Sequence, residues 1–212
     1  GLDVRVLVPG YRALLKRTQR TALAEINCPF LATTATITLV NGSHPPLMVL
    51  EHAAFYDRDG GPYQNAAGSD WPDNAERYAL FCHAGAQLCG SASVLPWRAD
   101  IVHCNDWQSG LVPAYLKLRG ETASKSVMTI HNLAFQGIFP SAMLPRVGLP
   151  PTTFSMQGVE FYGNLSFLKA GLVYADRITT VSRSYAAEIQ QPELGFGLDG
   201  VLLERSSDLV GI

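Results

Sequence analysis

Two short apolar runs, Ile101 to Cys104 and Val127 to Ile130, each stop at polar residues and are separated by one helix-length segment. That order constrains the fold more than any other stretch. The first run ends in Asn105, Asp106 and Trp107, the second in His131 and Asn132. A strand with a polar tip, a helix, and a second strand with its own polar tip form a parallel βαβ unit. In open α/β sheets, ligands sit beyond the carboxyl ends of the strands, so both tips are expected to face one crevice.

The alternation continues on both sides. Val4 to Pro9 is a β-branched run stopped by Pro9-Gly10, and Ala35 to Val40 and Leu47 to Leu50 read as strands around a turn at Asn41-Gly42. Residues 12 to 26 carry mixed charge and weak periodicity, and predict no element. From Tyr56 to Asp73 the residues Gly, Pro, Asp, Asn and Tyr predominate, which predicts a long irregular loop, often a functional one. Between Asp73 and Gly90, Ala75, Ala79, Cys82, Ala86 and Cys89 recur every three or four positions, the period of a mostly buried helix. Asp106 or Asn105 can cap the next helix, which reaches about Leu118 and stops at Gly120, with Pro113 in its second turn. Gly137 to Gln157 predicts a loop. Ser166 to Ala175 predicts a helix, Arg177 to Val181 a strand, Ser182 to Gln190 a helix capped by Ser182, and Asp208 to Ile212 a last strand. The class is α/β: a Rossmann-like parallel sheet flanked by helices.

Composition narrows the functions. With 47% hydrophobic and 16% charged residues, the chain has enough apolar matter for a substantial core. Lys and Arg number 16 against 18 Asp and Glu and are scattered, so nucleic acid is not an expected partner. No apolar run approaches the ~20 residues of a membrane span, so no membrane partner is expected either. The four cysteines are Cys28, Cys82, Cys89 and Cys104. On a helix, Cys82 and Cys89 lie roughly 10 Å apart along the axis, beyond the ~7 Å reach of a disulfide. No Cys or His pair has zinc-site spacing, so buried free thiols are expected, in the cytoplasm or, in a plant, the plastid stroma.

Several catalytic signatures are absent: there is no G-x-S-x-G, no G-x-x-x-x-G-K and no G-x-G-x-x-G after a strand. The run Gly195 to Gly200 has glycines but no strand before it, which makes it a weak phosphate-loop candidate. Asp106 has an ordinary reading as a helix cap, Trp107 as a core aromatic, and His131 as a structural imidazole. Together, Tyr63, Asp106, Trp107 and His131 have the composition of a sugar site, where aromatic faces stack on rings while carboxylate and imidazole bond hydroxyls.

At this point a resemblance adds what spacing cannot. The segments Gly1 to Pro9, Tyr56-Asp57-Arg58, Gly61-Pro62-Tyr63, His103 to Gln108, His131 to Gly137, Glu160 to Gly163 and Ser166 to Leu172 resemble, in order and over nearly the whole chain, bacterial glycogen synthases and plant starch synthases. The resemblance implies a GT-B glycosyltransferase fold, with residues 1 to 212 as an N-terminal, acceptor-side catalytic domain incomplete at both ends. It implies retaining transfer of glucose from ADP-glucose or UDP-glucose to the non-reducing end of an α-1,4-glucan, without a cofactor or metal. His131 and Asp106 would be catalytic, and Tyr63, Trp107, Asn132 and Gln136 would bind substrate. Asn105 and Gln108 stand where the family often has His. A first strand and a Lys-x-Gly-Gly loop are expected upstream, that strand lying between Val4–Val8 and Ile101–Cys104, and a nucleotide-binding domain is expected downstream. The isolated 212 residues are then expected to lack synthase activity. The alternative is a glucan-binding module or an inert scaffold, whereas a hydrolase lacks any supporting spacing.

Overall fold

The fold was analysed in a computed structural model, and the structure describes residues 1–90 and 93–212. Strand β1 (Val6–Pro9) leads through a short helix α1 (Arg12–Leu15) into β2 (Arg20–Cys28), β3 (Thr33–Val40) and β4 (Leu47–Glu51). Helices α2 (Ala53–Tyr56) and α3 (Asn74–Gln87) bracket the long loop. Then follow β5 (Ile101–Asn105), α4 (Leu111–Leu118) and β6 (Lys125–Ile130), and a small sheet of β7 (Ile138–Pro140), β8 (Glu160–Phe161) and β9 (Asn164–Ser166). Helix α5 (Phe167–Tyr174), β10 (Arg177–Thr180), α6 (Arg183–Glu188), α7 (Asp199–Glu204) and β11 (Leu209–Gly211) complete the order.

One sheet runs β11-β10-β6-β5, all parallel, and a second runs β1-β4-β3-β2. The second is mixed: β1 is parallel to β4, whereas β2, β3 and β4 pair antiparallel. Strand β2 has no counterpart in the sequence pattern. Only Ile26 and Cys28 of it are buried, and a bulge between Ala22 and Ala24 breaks its alternation. It is held by its ladder to β3 rather than by a core face, so periodicity cannot announce it.

Helix α3 joins the two halves of the core. Tyr78, Ala79, Cys82 and Ala86 pack with β6, α4 and α5, while Leu80, Ala84 and Leu88 pack with β2, β3 and β4. All four cysteines are buried and free, and burial pushes the thiols of Cys28 and Cys89 up to about 11 and that of Cys82 to about 12. Reactive thiolate is negligible at neutral pH, as buried free thiols require. Helix α4 approaches α5 through glycine. A Cβ on Gly110 would collide with the Phe167 carbonyl, and Gly171 lies against the Gly110 Cα.

Two helix starts differ in how they are capped. Ser166 and Ser182 accept hydrogen bonds from Lys169 N and Tyr185 N at 3.1 and 3.0 Å, the arrangement that orphan helix N–H groups favour. Asp106 caps nothing, which corrects the sequence expectation: α4 starts after a 3-10 turn at Trp107–Ser109, with Gly110 before it. Pro113 consequently falls in the first turn, where its missing N–H has no intrahelical partner to lose.

β1 and β5 are both edge strands. Between them lies a cleft of about 580 Å³ lined by Leu7, Val102 and Val112 among others. Among the described residues, no helix is long and apolar enough to cross a membrane.

Candidate active site

Strands β5, β6 and β10 run parallel, so Asn105, Ile130 and Thr180 end at one edge of the sheet. The residues that follow them build the site. The Asp106 backbone N–H donates to the Thr129 carbonyl at 2.9 Å, and its carboxylate Oδ1 accepts the His131 backbone N–H at 2.8 Å. The two strand tips are thereby tied to each other. Asp106 holds φ 53° and ψ −171°, a region almost confined to glycine. Such a conformation costs on the order of 1–3 kcal/mol and persists where the surroundings over-determine it, as at ligand sites.

The His131 imidazole lies 3.0 Å by Nε2 from the Asn105 side-chain oxygen. An amide oxygen only accepts, so Nε2 carries the hydrogen of this bond. His131 and Asn105 are both exposed. Asn132 is exposed as well, and its Oδ1 accepts the Ala134 N–H at 3.0 Å, closing the turn that follows β6. Its amide hydrogens are left for a ligand.

Beside these polar groups stands an aromatic cluster. Trp107 packs edge-on to Tyr78 at 4.6 Å between centroids and lies 5.8 Å from both Tyr63 and Phe139. A side chain on Gly137 would run into the indole, so the loop after β6 passes directly over Trp107. Trp107 is therefore half core and half surface. Tyr63 lies beyond it on the long loop, its hydroxyl accepting from Gln108 Nε2 at 2.6 Å. Burial raises the Tyr11 and Tyr78 phenols, which bond each other at 3.0 Å and stay protonated.

Arg77 organises that loop. It is 1% exposed, and its guanidinium donates to the carbonyls of Phe55 (2.7 Å) and Pro62 (3.0 Å) and to Asn74 Oδ1 (2.7 Å). Asn74 Nδ2 in turn donates to the Tyr63 carbonyl at 2.9 Å. A charged residue inside an otherwise apolar helical stripe is the sequence signal that could have marked Arg77.

Gln136 sits differently from its neighbours in the loop. It is 6% exposed, its Nε2 donates to the Phe196 carbonyl at 2.9 Å, and its Oε1 has no partner. Its backbone carbonyl accepts from Leu168 N and Ser166 Oγ. The structure thus brings Asp106, His131, Asn132 and Asn105 to one sheet edge, with Trp107 and Tyr63 alongside, and turns Gln136 inward as a brace. Among the described residues, no group of three or more His, Cys, Asp or Glu is placed to hold a metal ion.

Comparison with known proteins gives this edge a context. The model of the starch synthase catalytic domain matches residues 1–204. The chain belongs to the starch synthase catalytic domain family. It is 50% identical over 217 residues to a glycogen synthase of Nitrosomonas eutropha, with all of this chain and 43% of that protein covered. It is 46% identical over 218 residues to a glycogen synthase of Paramagnetospirillum magneticum, covering 44% of it. The chain thus spans less than half the length of these relatives. Among solved structures, the catalytic domain of starch synthase IV from Arabidopsis thaliana, bound to ADP and acarbose, superposes with a TM-score of 0.80 at 21% identity, over 99% of this chain and 44% of that one. That likeness shows the fold: the α/β arrangement of this starch synthase family member is that of a GT-B catalytic domain, as expected.

Proposed function

We propose that this chain forms the sugar-binding side of a glucan synthase. The reaction is retaining transfer of glucose from ADP-glucose, or UDP-glucose, to the non-reducing end of an α-1,4-glucan, with no metal ion. The observation that carries this reading is the hydrogen-bonded set of Asp106, His131 and Asn105 at the carboxyl edge of the parallel sheet, beside Trp107 and Tyr63. The relatives named glycogen synthase and the Arabidopsis structure bound to ADP and acarbose support it.

Each group has a role that its chemistry allows. The Nδ1 of His131 accepts a hydroxyl hydrogen from the transferred glucose, and the second Asp106 oxygen accepts another. The amides of Asn105 and Asn132 donate to sugar oxygens, while Trp107 and Tyr63 offer apolar faces to the ring. Gln136 positions the loop that carries His131. Rate in such a transfer comes from holding donor and acceptor in line and from stabilising charge on the departing diphosphate. The set described here recognises hydroxyls and includes no guanidinium or ammonium group. On its own, the 212-residue chain is therefore expected to transfer no glucose.

The test is transfer of labelled glucose from ADP-glucose to glycogen by a longer synthase that contains this segment and by its His131→Ala variant, with the 212-residue chain alone as the control expected to show no transfer. Loss of one positioned hydrogen-bonding group at the reacting sugar is expected to lower kcat by about 100-fold or more. An unchanged kcat removes His131 from the mechanism. Maltoheptaose binding, read as a change in Trp107 fluorescence that Trp107→Phe abolishes, tests the acceptor side by itself.

A further inference from the structure

Two turns near the site present aromatic rings in backbone conformations that aromatic residues avoid. Strands β8 and β9 pair with Phe161 opposite Asn164, which leaves Tyr162 and Gly163 as a two-residue hairpin loop. Both take positive φ, 48° and 78°. This is the geometry of a type I′ turn, for which Asn-Gly is the favoured sequence because its first residue must be left-handed. Tyrosine there costs roughly 1 kcal/mol or more and gains little from burial, since the residue is 78% exposed. The second turn is Phe196-Gly197, with φ of 49° and 79°, and Phe196 is 54% exposed.

The two turns abut. A Cβ on Gly197 would lie 3.0 Å from Cε2 of Tyr162 and 3.2 Å from its hydroxyl, so glycine lets the Tyr162 ring lie against the second turn. The Phe196 carbonyl is held by Gln136 Nε2, the buried brace five residues after His131 in the same loop. Two strained turns, each with an exposed aromatic residue, thus meet at Gly197, and the second is tied to the loop of the site through Gln136. Exposed apolar surface of this kind marks a ligand groove, and strain at a non-glycine residue marks a functional position. The glycine run at Gly195 to Gly200 forms this turn and leads into α7, with no strand directly before it.

We infer that Tyr162 and Phe196 form an outer subsite that stacks on glucose units of an α-1,4-glucan chain whose end lies at His131 and Asp106. The inference rests on the glucan reading above and adds a site to it. Sugar rings carry an apolar C–H face that an exposed aromatic can cover, and the sugar hydroxyls remain in water. A subsite outside the His131 and Asp106 set engages long chains and leaves short sugars untouched.

The experiment is calorimetric titration of the full chain with maltoheptaose and with maltose, for the wild type, Tyr162→Asn and Phe196→Asn. Asparagine suits both left-handed positions, so the variants are expected to fold, with Tm unchanged or raised. Losing one stacking face is expected to weaken maltoheptaose about tenfold, with maltose affinity unchanged. Equal maltoheptaose affinity in the wild type and both variants overturns the subsite while leaving the glucan reading intact. So does a change in oligomeric state without a change in sugar affinity, which makes the two turns a protein contact. A wild type that binds neither sugar overturns the glucan reading and the subsite with it.

Discussion

His83 is 4% exposed under the rings of Phe30 and Tyr115, and its neighbours decide which nitrogen carries the hydrogen. Arg119 Nη2 donates to Nδ1 at 2.9 Å, so Nδ1 is bare and Nε2–H donates to the Asn27 carbonyl at 3.0 Å. A second proton on Nδ1 would face a guanidinium that cannot accept it. Burial, with Arg119 adding to it, holds this imidazole below its ordinary range, and burial does the same to His52. A histidine that is harder to protonate when folded contributes full stability above its unfolded pKa of about 6.5 and loses it as pH falls through that value. Tm is therefore expected to drop between pH 7.5 and 5.5. His83→Gln, which can keep both hydrogen bonds, is expected to show a shallower drop, and equal slopes would remove His83 as a cause. The same dependence on partners explains what single positions reveal in sequence. Asp106 and His131 are legible because each lies at the polar tip of an apolar run. The left-handed backbone of Asp106, the pairing of His131 with Asn105 and the burial of Gln136 are set by residues 25 to 60 positions away, which no local pattern records.

Elements show the same division. The helices α3, α5 and α6 and the strands β5, β6 and β10 follow from periodicity and capping serines, because each turns apolar residues to the core, α3 and α5 along most of their length. Strand β2 does not, having almost no buried face, and the Tyr56 to Asp73 loop shows only that it is long. Its form comes from Arg77, reaching from α3 into the loop to bond the carbonyls of Phe55 and Pro62. Replacing Arg77 by Met keeps much of the apolar volume but takes the guanidinium donor from the Phe55 carbonyl and Asn74 Oδ1, while the Pro62 carbonyl keeps only the Tyr78 hydroxyl, a loss on the order of 3 kcal/mol. The expected result is a lower Tm together with faster proteolytic cleavage between residues 57 and 72, and weaker maltoheptaose binding through Tyr63. Lower Tm with an unchanged loop cleavage rate would show that Arg77 stabilises α3 without shaping the loop.

For the molecule as a whole, the two sheets share no strand pairing among the described residues, and α3 packs against both. β1 and β5 each pair on one side only, and the cleft lies between these two edges. In a parallel strand, successive backbone groups point alternately to the two neighbours, so an edge strand leaves every second amide without a ladder partner. Ile101, exposed at the start of β5, lines this gap. Strand β6 lies between β5 and β10 and is paired on both sides, with its Ser126 N–H held by the Asp176 carboxylate at 2.8 Å. Hydrogen exchange of the 212-residue chain, followed by mass spectrometry, is expected to label about half the amides of β1 and β5 early. The amides of β6 are expected to exchange only with global unfolding. An extended apolar peptide that completes the sheet in the cleft would protect β1 and β5 together and raise Tm. Protection of β5 equal to that of β6 in the unaided chain would mean that the edges pair in solution and that the cleft is closed.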